Sequence, residues 1–296
     1  MDWLILSLVG AAALSVTGII DKLILGRFVR DPLAYLVVLV VMQQTLVLAI
    51  PAYLGWGFVS PQTLYALIAG AFQVILWTAY LIALKQEETS RVAAMVYVFP
   101  VFVFLGAYLF LGETLELYHY LGGALLVISA LMISYRPSRQ GSFILSPALK
   151  YMSVFWVFTA AYALASKYLL GFMTEWHLIL WSSLGSLLTV LPFLGRKSIR
   201  KEAAGYFRGG AFLILALFAD ELFDLLGRGA FIFAYGKGSV TLVSSVAAMQ
   251  PFITLVYVIL LGLFVPGLLA EELDRKTMAL KTVAVALIVI GVYLVS

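Results

Sequence analysis

The chain has 296 residues, of which 64% are hydrophobic and only 11% charged, with mean hydropathy +1.06. A soluble domain of this length would carry roughly 25% charged residues, so the composition describes an integral membrane protein. The lack of Cys excludes a disulfide framework, a thiol catalyst and a Cys-based metal site. The net charge of +4 reports membrane orientation, and no nucleic acid is expected as a partner.

Apolar runs of the length that a ~30 Å hydrocarbon core requires recur from end to end. They predict ten spans near 3–25, 34–54, 62–84, 90–111, 116–135, 149–171, 175–195, 208–235, 240–264 and 277–295. The first opens Met1-Asp2-Trp3 without a basic n-region or a small-residue cleavage site, as a retained helix would. It carries Asp21 and Lys22 near its end. The third offers Gln73, Trp77 and Tyr80 at i, i+4 and i+7 on one face. The fourth carries Tyr97 and Pro100, the sixth Lys167, and the ninth Ser245, Gln250 and Pro251. Pro100 and Pro251 each remove a backbone donor in mid-span, so both predict a kink that can also serve as a hinge. The stretches around 136–148, 195–206 and 265–276 read as the longest loops. His119 and His177 lie near helix ends without metal-ligand spacing, so neither metal nor cofactor is expected.

The eighth span is too polar for its place. Asp220, Glu221, Asp224 and Arg228 stand in its middle. At 100° per residue, with Asp220 at zero, Asp224 falls at ~40°, Arg228 at ~80° and Glu221 at ~100°. All four share one face, opposite Leu, Phe, Ala and Ile. Each charge at membrane depth costs about 2.5–3.5 kcal/mol, and such residues normally face a bundle interior or a watery path. The plain structural reading is an intramembrane ion-pair cluster, with Arg228 reaching Asp224 at i+4 and Glu221 at i+7. Three acids against one Arg leave a surplus, however, and an acid without a cation can carry a proton or bind an ammonium. Asp220 and Asp224 are the favoured ligands, because Glu221 lies nearer Arg228 in angle. A third reading takes Asp220 to Asp224 as a Mg²⁺–diphosphate motif of an intramembrane lipid-diphosphate enzyme. Such an enzyme would be expected to show a second acidic motif, and Asp21 is the only other deep acid.

Fifteen Lys and Arg occupy the loops after the odd-numbered spans, and Lys167 and Lys237 alone occupy the opposite side. The positive-inside rule makes the fifteen cytoplasmic and both termini extracytoplasmic. Lys22 and Lys167 read equally as snorkelling anchors or as gating residues, and Asp21 beside Lys22 could belong to a gate.

The halves 1–140 and 141–296 repeat. Lys22 and Lys167 are each followed four residues later by Gly. Ala94-Met95-Val96-Tyr97-Val98-Phe99-Pro100 answers Ser245-Val246-Ala247-Ala248-Met249-Gln250-Pro251, and the second and seventh spans close on Pro51 and Pro192. Five spans per half is an odd number, so the second half inserts inverted, with a substrate site expected at the repeat interface. Aligning Pro100 with Pro251 sets Gln73 on Asp224 and Trp77 on Arg228.

With these features the chain resembles the EamA-type transporters of the drug/metabolite transporter superfamily. The stretch Pro100-Val101-Phe102 to Leu111-Gly112-Glu113, then Gly122-Gly123-Ala124, is similar to the end of that family's repeat. The second half departs from it: the position matching Glu113 is near Phe264, and Glu271 and Glu272 come later. Family members are often drawn with cytoplasmic termini, whereas the charge count here points the other way and is preferred. The resemblance implies export or exchange of amino acids and metabolites.

The expected protein is therefore all-α, with ten membrane helices as two inverted five-helix repeats around a cavity lined by spans one, three, four, six, eight and nine. It would carry a small polar molecule, an amino acid or other amine-bearing solute, by alternating access as a monomer or homodimer among membrane lipids. Candidate substrate-binding residues are Asp220, Asp224, Glu221, Arg228, Gln73, Trp77, Tyr80, Tyr97, Ser245 and Gln250. Candidate gating or coupling residues are Asp21, Lys22, Lys167, Pro100 and Pro251. The rival carrier is an organic-cation or drug exporter coupled to protons.

Overall fold

The computed structural model describes residues 2–29, 31–86, 92, 95–96, 98–134, 148–264 and 275–295. Among these residues every regular element is helical. The helices are α1 Trp3–Arg27, α2 Pro32–Val47, α3 Ala49–Leu54, α4 Gln62–Gln86, α5 Phe99–Gly106, α6 Leu117–Ser134 and α7 Leu149–Leu169. There follow α8 Glu175–Val190, α9 Lys197–Tyr206, α10 Ala211–Lys237, α11 Val240–Ala247, α12 Gln250–Phe264 and α13 Arg275–Val295. Five stretches are long and apolar enough to cross a membrane: Trp3–Leu25, Pro32–Leu54, Gln62–Ala83, Glu175–Gly195 and Val240–Gly262. Phe99–Leu111 and Leu117–Ser129 are shorter and equally apolar. Large side chains such as Phe110, Phe212 and Tyr293 stand well exposed. That would be a liability in water, but lipid tails are as apolar as these side chains. The protein is an integral, multi-pass membrane protein.

The helix starts are chemically marked. Asp31 accepts a bond from Leu33 N at 2.9 Å ahead of Pro32, which needs no donor in a first turn. Thr174 and Ser239 cap α8 and α11 in the same way.

The prolines act differently from a mid-span kink. Pro100 and Pro251 each stand second in a helix, and the chain breaks just before them. Val98 N donates to Met95 O and Val101 N to Val98 O, three residues back. In the second half Ala248 N donates to Ser245 O and Phe252 N to Met249 O. A proline has no N–H for the fourth residue back and its ring collides with that carbonyl, so the ladder stops one turn earlier and restarts. Pro51 likewise falls in the first turn of α3, and Pro192 in the turn Leu191–Gly195.

The loop expected at 195–206 is instead the helix α9. Ile199, Ala203 and Tyr206 are buried on one side, while Arg196, Lys197, Arg200 and Lys201 are exposed on the other. This is the pattern of a helix lying flat at an interface. Its apolar side packs on the start of α2, and the Tyr206 ring stands 6.1 Å from that of Tyr35. Burial, with Glu202 and Asp31 nearby, pushes the Tyr206 phenol above its ordinary range.

Helix packing is close and reciprocal. α1 runs along α10, α4 along both α7 and α8, and α6 along α13, while α1 also meets α12 and α7 meets α5. At the α4–α8 crossing a methyl group on Gly70 would strike the backbone of Ser182 and Ser186, and one on Gly185 would strike the backbone of Leu67. Only glycine lets the two backbones approach so closely. This contact holds α8 against the polar face of α4.

Candidate functional site

A narrow cleft lies inside the bundle, lined from α1, α2, α4, α8 and α10. Asp21, Asp220, Glu221, Asp224 and Arg228 all line it, so four acids face one cation. Gln73 and Trp77 form the wall contributed by α4. The expected set of spans is thus corrected. Helices of spans two and seven also line this cleft, and among the described residues none from spans four, six and nine does.

Each acid has a different environment. Asp224 pairs with Arg228, whose Nε donates to Asp224 Oδ2 at 2.6 Å. Nη2 lies 2.5 Å from the same oxygen, though without hydrogen-bond geometry to any atom. The angular argument favoured Glu221 as the partner, but the long Arg side chain folds back one turn along its own helix to i−4. Glu221 Oε2 instead accepts from Gln43 Nε2 on α2 at 3.1 Å. Asp21 Oδ1 accepts from the Tyr35 hydroxyl at 2.6 Å. Asp220 is 1% exposed, and its Oδ1 is buried without any hydrogen-bond partner. A buried charged oxygen left unpaired is costly, so this atom is the point in the cleft most in need of a cation or a proton.

Gln73 is held by α8: Ser186 donates to Gly70 O at 2.9 Å, and its hydroxyl stands 3.1 Å from Gln73 Oε1. Trp77 packs edge-on to Tyr80, their ring centroids 5.5 Å apart, and Tyr80 lies behind it against Phe155, outside the lining set. Ser245 and Gln250 also lie outside that set. The Ser245 hydroxyl donates to Thr241 O at 2.9 Å and faces Gly123 of α6. The Gln250 carbonyl accepts from Ser15 at 3.2 Å. Tyr97 and the side chain of Pro251 lie outside the described residues.

The two lysines part company. Lys22 is exposed beside the buried Asp21. Lys167 Nζ donates to the carbonyls of Tyr235 and Gly238, each at 2.7 Å, and so closes the C-terminus of α10. Pro100 is buried at the restart of span four.

Tyr35, Gln43 and Ser186 were missed by sequence reasoning. Gln43 was legible in principle, as a polar amide inside an otherwise apolar run. Tyr35 and Ser186 carry no signal apart from their partners. Glu113, whose twin is lacking, has a role all the same. Gly112 takes the left-handed conformation (φ +64), and the next residue turns onto α11. The Glu113 carboxylate accepts from Ser239 Oγ at 2.6 Å, Val240 N at 2.9 Å, Thr241 Oγ1 at 2.9 Å and Thr241 N at 3.3 Å. Among the described residues no group of three His, Cys, Asp or Glu could hold a metal ion.

Residues 1–135 match the EamA-like transporter family, which lies within the drug/metabolite transporter superfamily. Comparison with curated proteins finds no match. A crystal structure described only as "Crystal structure of protein" superposes with a TM-score of 0.71, covering 99% of this chain and 96% of its own. At 15% identity that likeness shows the fold alone.

Proposed function

We propose that the protein carries small polar metabolites with an amino group, amino acids first among them, by alternating access. The carrying observation is Asp220: its Oδ1 is buried and unpartnered, in a cleft where four acids face one Arg. An ammonium would meet Asp220, with Asp21 and Glu221 close enough to share its charge. Trp77 would supply apolar wall. A purely anionic solute would meet repulsion from the acids.

Ten spans in two inverted repeats, 1–140 and 141–296, form the frame of this reading. The packing supports it. Exchanging each helix for its repeat mate turns the α1–α10 contact into α7–α4, turns α1–α12 into α7–α5, and returns α6–α13 to itself. Both halves break at the matching proline, which provides two hinges about which one half can rock against the other. The basic face of α9 sits in the loop after span seven, one of the Lys/Arg-rich loops that orientation by charge makes cytoplasmic, with both termini on the far side.

The proton-coupled cation exporter shares the same acid and differs in coupling. The test is a thermal-shift screen of the purified protein against amino acids, polyamines, quaternary amines, sugars and isoprenyl diphosphates, repeated on Asp220→Asn. A ligand bound only by the folded state raises the midpoint. A shift from amine-bearing solutes, lost in the variant, is the expected result. A shift from sugars or diphosphates alone would sink the reading.

A further inference from the structure

The helix α9 joins two spans at the membrane boundary. The apolar stretch Glu175–Gly195 ends one residue before Arg196, and α10 starts at Ala211, just after Gly210 turns the chain with φ +92. Leu191, Phe207 and Phe212 are exposed on either side of α9, where lipid tails can cover them. Cations crowd this connection. Arg196, Lys197, Arg200, Lys201 and Arg208 are all exposed, and among the described residues none of their side chains is in an ion pair. The acid between them, Glu202, is turned inward, where its Oε1 accepts from Asp31 N at 2.8 Å. With Ile199 at zero, 100° per residue sets Ala203 at ~40° and Tyr206 at ~340°, against ~100°, ~160° and ~200° for Arg200, Lys197 and Lys201. The face turned away from the protein thus carries charge of one sign only.

We infer that the basic face of α9 is a docking surface for the head groups of anionic phospholipids, and that docking steadies the start of span two, a wall of the cleft. Clusters of about four to eight Lys or Arg beside a membrane span attract acidic lipid, and the charge complementarity here has no acid to offset it. A soluble anion fits less well. The cations spread over the convex side of a helix and do not converge, so they match a sheet of head groups and cannot wrap one small ion. The contact with span two is direct. Glu202 holds the Asp31 amide, and Ile199, Ala203 and Tyr206 share one packed cluster with Tyr35. The rings of Tyr206 and Tyr35 stand 6.1 Å apart, and the Tyr35 hydroxyl donates at 2.6 Å to Asp21, which lines the cleft. What holds α9 in place therefore holds the residue that partners Asp21. The inference does not depend on which solute the cleft binds.

The chain has no Cys, so Ala204→Cys, exposed among the cations, gives a single site for an environment-sensitive fluorophore. The full chain is placed in nanodiscs of phosphatidylcholine with increasing phosphatidylglycerol. A nitroxide quencher sits near the top of the acyl chain of one lipid or the other. Hydrogen exchange across residues 31–35 is read in the same discs. The expected result is that phosphatidylglycerol half-quenches the label at a mole fraction at least about fivefold below that of phosphatidylcholine, the factor for one cation at a charged surface. Salt at about 1 M, where the screening length is ~3 Å, should remove most of this preference. The triple variant Lys197→Gln/Arg200→Gln/Lys201→Gln, which alters exposed side chains only, should abolish it. Exchange across residues 31–35 should slow as phosphatidylglycerol is added, and only where the cations are kept. Equal quenching by the two lipids, a preference that the triple variant retains, or a preference with unchanged exchange would each overturn the inference. So would inorganic phosphate that slows the exchange equally well in discs of phosphatidylcholine alone, because the cations would then serve a soluble anion.

Discussion

Replacing Glu113 should loosen the join between the two halves. Its carboxylate satisfies the first amides of α11 and two hydroxyls, through four hydrogen bonds between 2.6 and 3.3 Å. Taken singly, bonds to a charged group contribute about 1.5–3 kcal/mol each, but their sum overstates this case. Glu113 is half-buried, so water reaches the site. Ser239 Oγ also stays behind to accept from Thr241 N at 3.1 Å. Helix-cap substitutions cost about 0.5–2 kcal/mol, and the loss of a negative charge from a helix N-terminus about 0.3–1 kcal/mol. Together they set the expected loss at about 1–3 kcal/mol for Glu113→Ala. Glu113→Gln keeps one acceptor and should lose about 1 kcal/mol. At about 2–4 °C per kcal/mol for a large domain, the alanine variant should melt about 2–12 °C lower. Hydrogen exchange at Val240 and Thr241 should rise with it, because these amides lose their acceptor. Unchanged melting in both variants, with both amides still protected, would refute the argument that Glu113 ties the first half to α11.

Other perturbations separate structure from transport. Gly185→Ala would drive a methyl group into the Leu67 backbone, so a loss of about 1–3 kcal/mol in thermal stability is expected; unchanged melting would mean the crossing is looser than drawn. Lys167→Met removes two bonds at the end of α10 and should cost about 1–2 kcal/mol, with substrate affinity unaltered. An affinity change at constant stability would return Lys167 to the gating residues. Tyr35→Phe strips the donor from buried Asp21 and should cost about 1–3 kcal/mol together with uptake into proteoliposomes; normal uptake would remove Asp21 from the site. Exposed Lys22→Gln should stay within about 0.5 kcal/mol and transport normally.

The polar face of α10 was readable because helix periodicity is local: 100° per residue places Asp220, Glu221, Asp224 and Arg228 together whatever surrounds them. What each acid does was not readable, since that depends on which neighbour arrives. Gln43 comes from α2 and Tyr35 reaches Asp21 across a loop, and neither pairing has a period. The same limit misplaced the lining. Of the expected spans one, three, four, six, eight and nine, described residues of one, three and eight line the cleft, and Gly70 and Gly185 let α8 press against α4, which brings span seven to it as well. The prolines illustrate the point from the other side. Their chemistry guaranteed an interrupted helix at the same place in each half, yet a missing N–H alone does not say whether the chain bends or breaks. The turns at Val98 and at Ala248–Met249 show that it breaks. A carrier built on two such breaks can move its halves without unwinding α1, α4, α7 or α10. On the proposed reading, the residues assigned to binding ride on continuous helices while the motion is absorbed at Pro100 and Pro251.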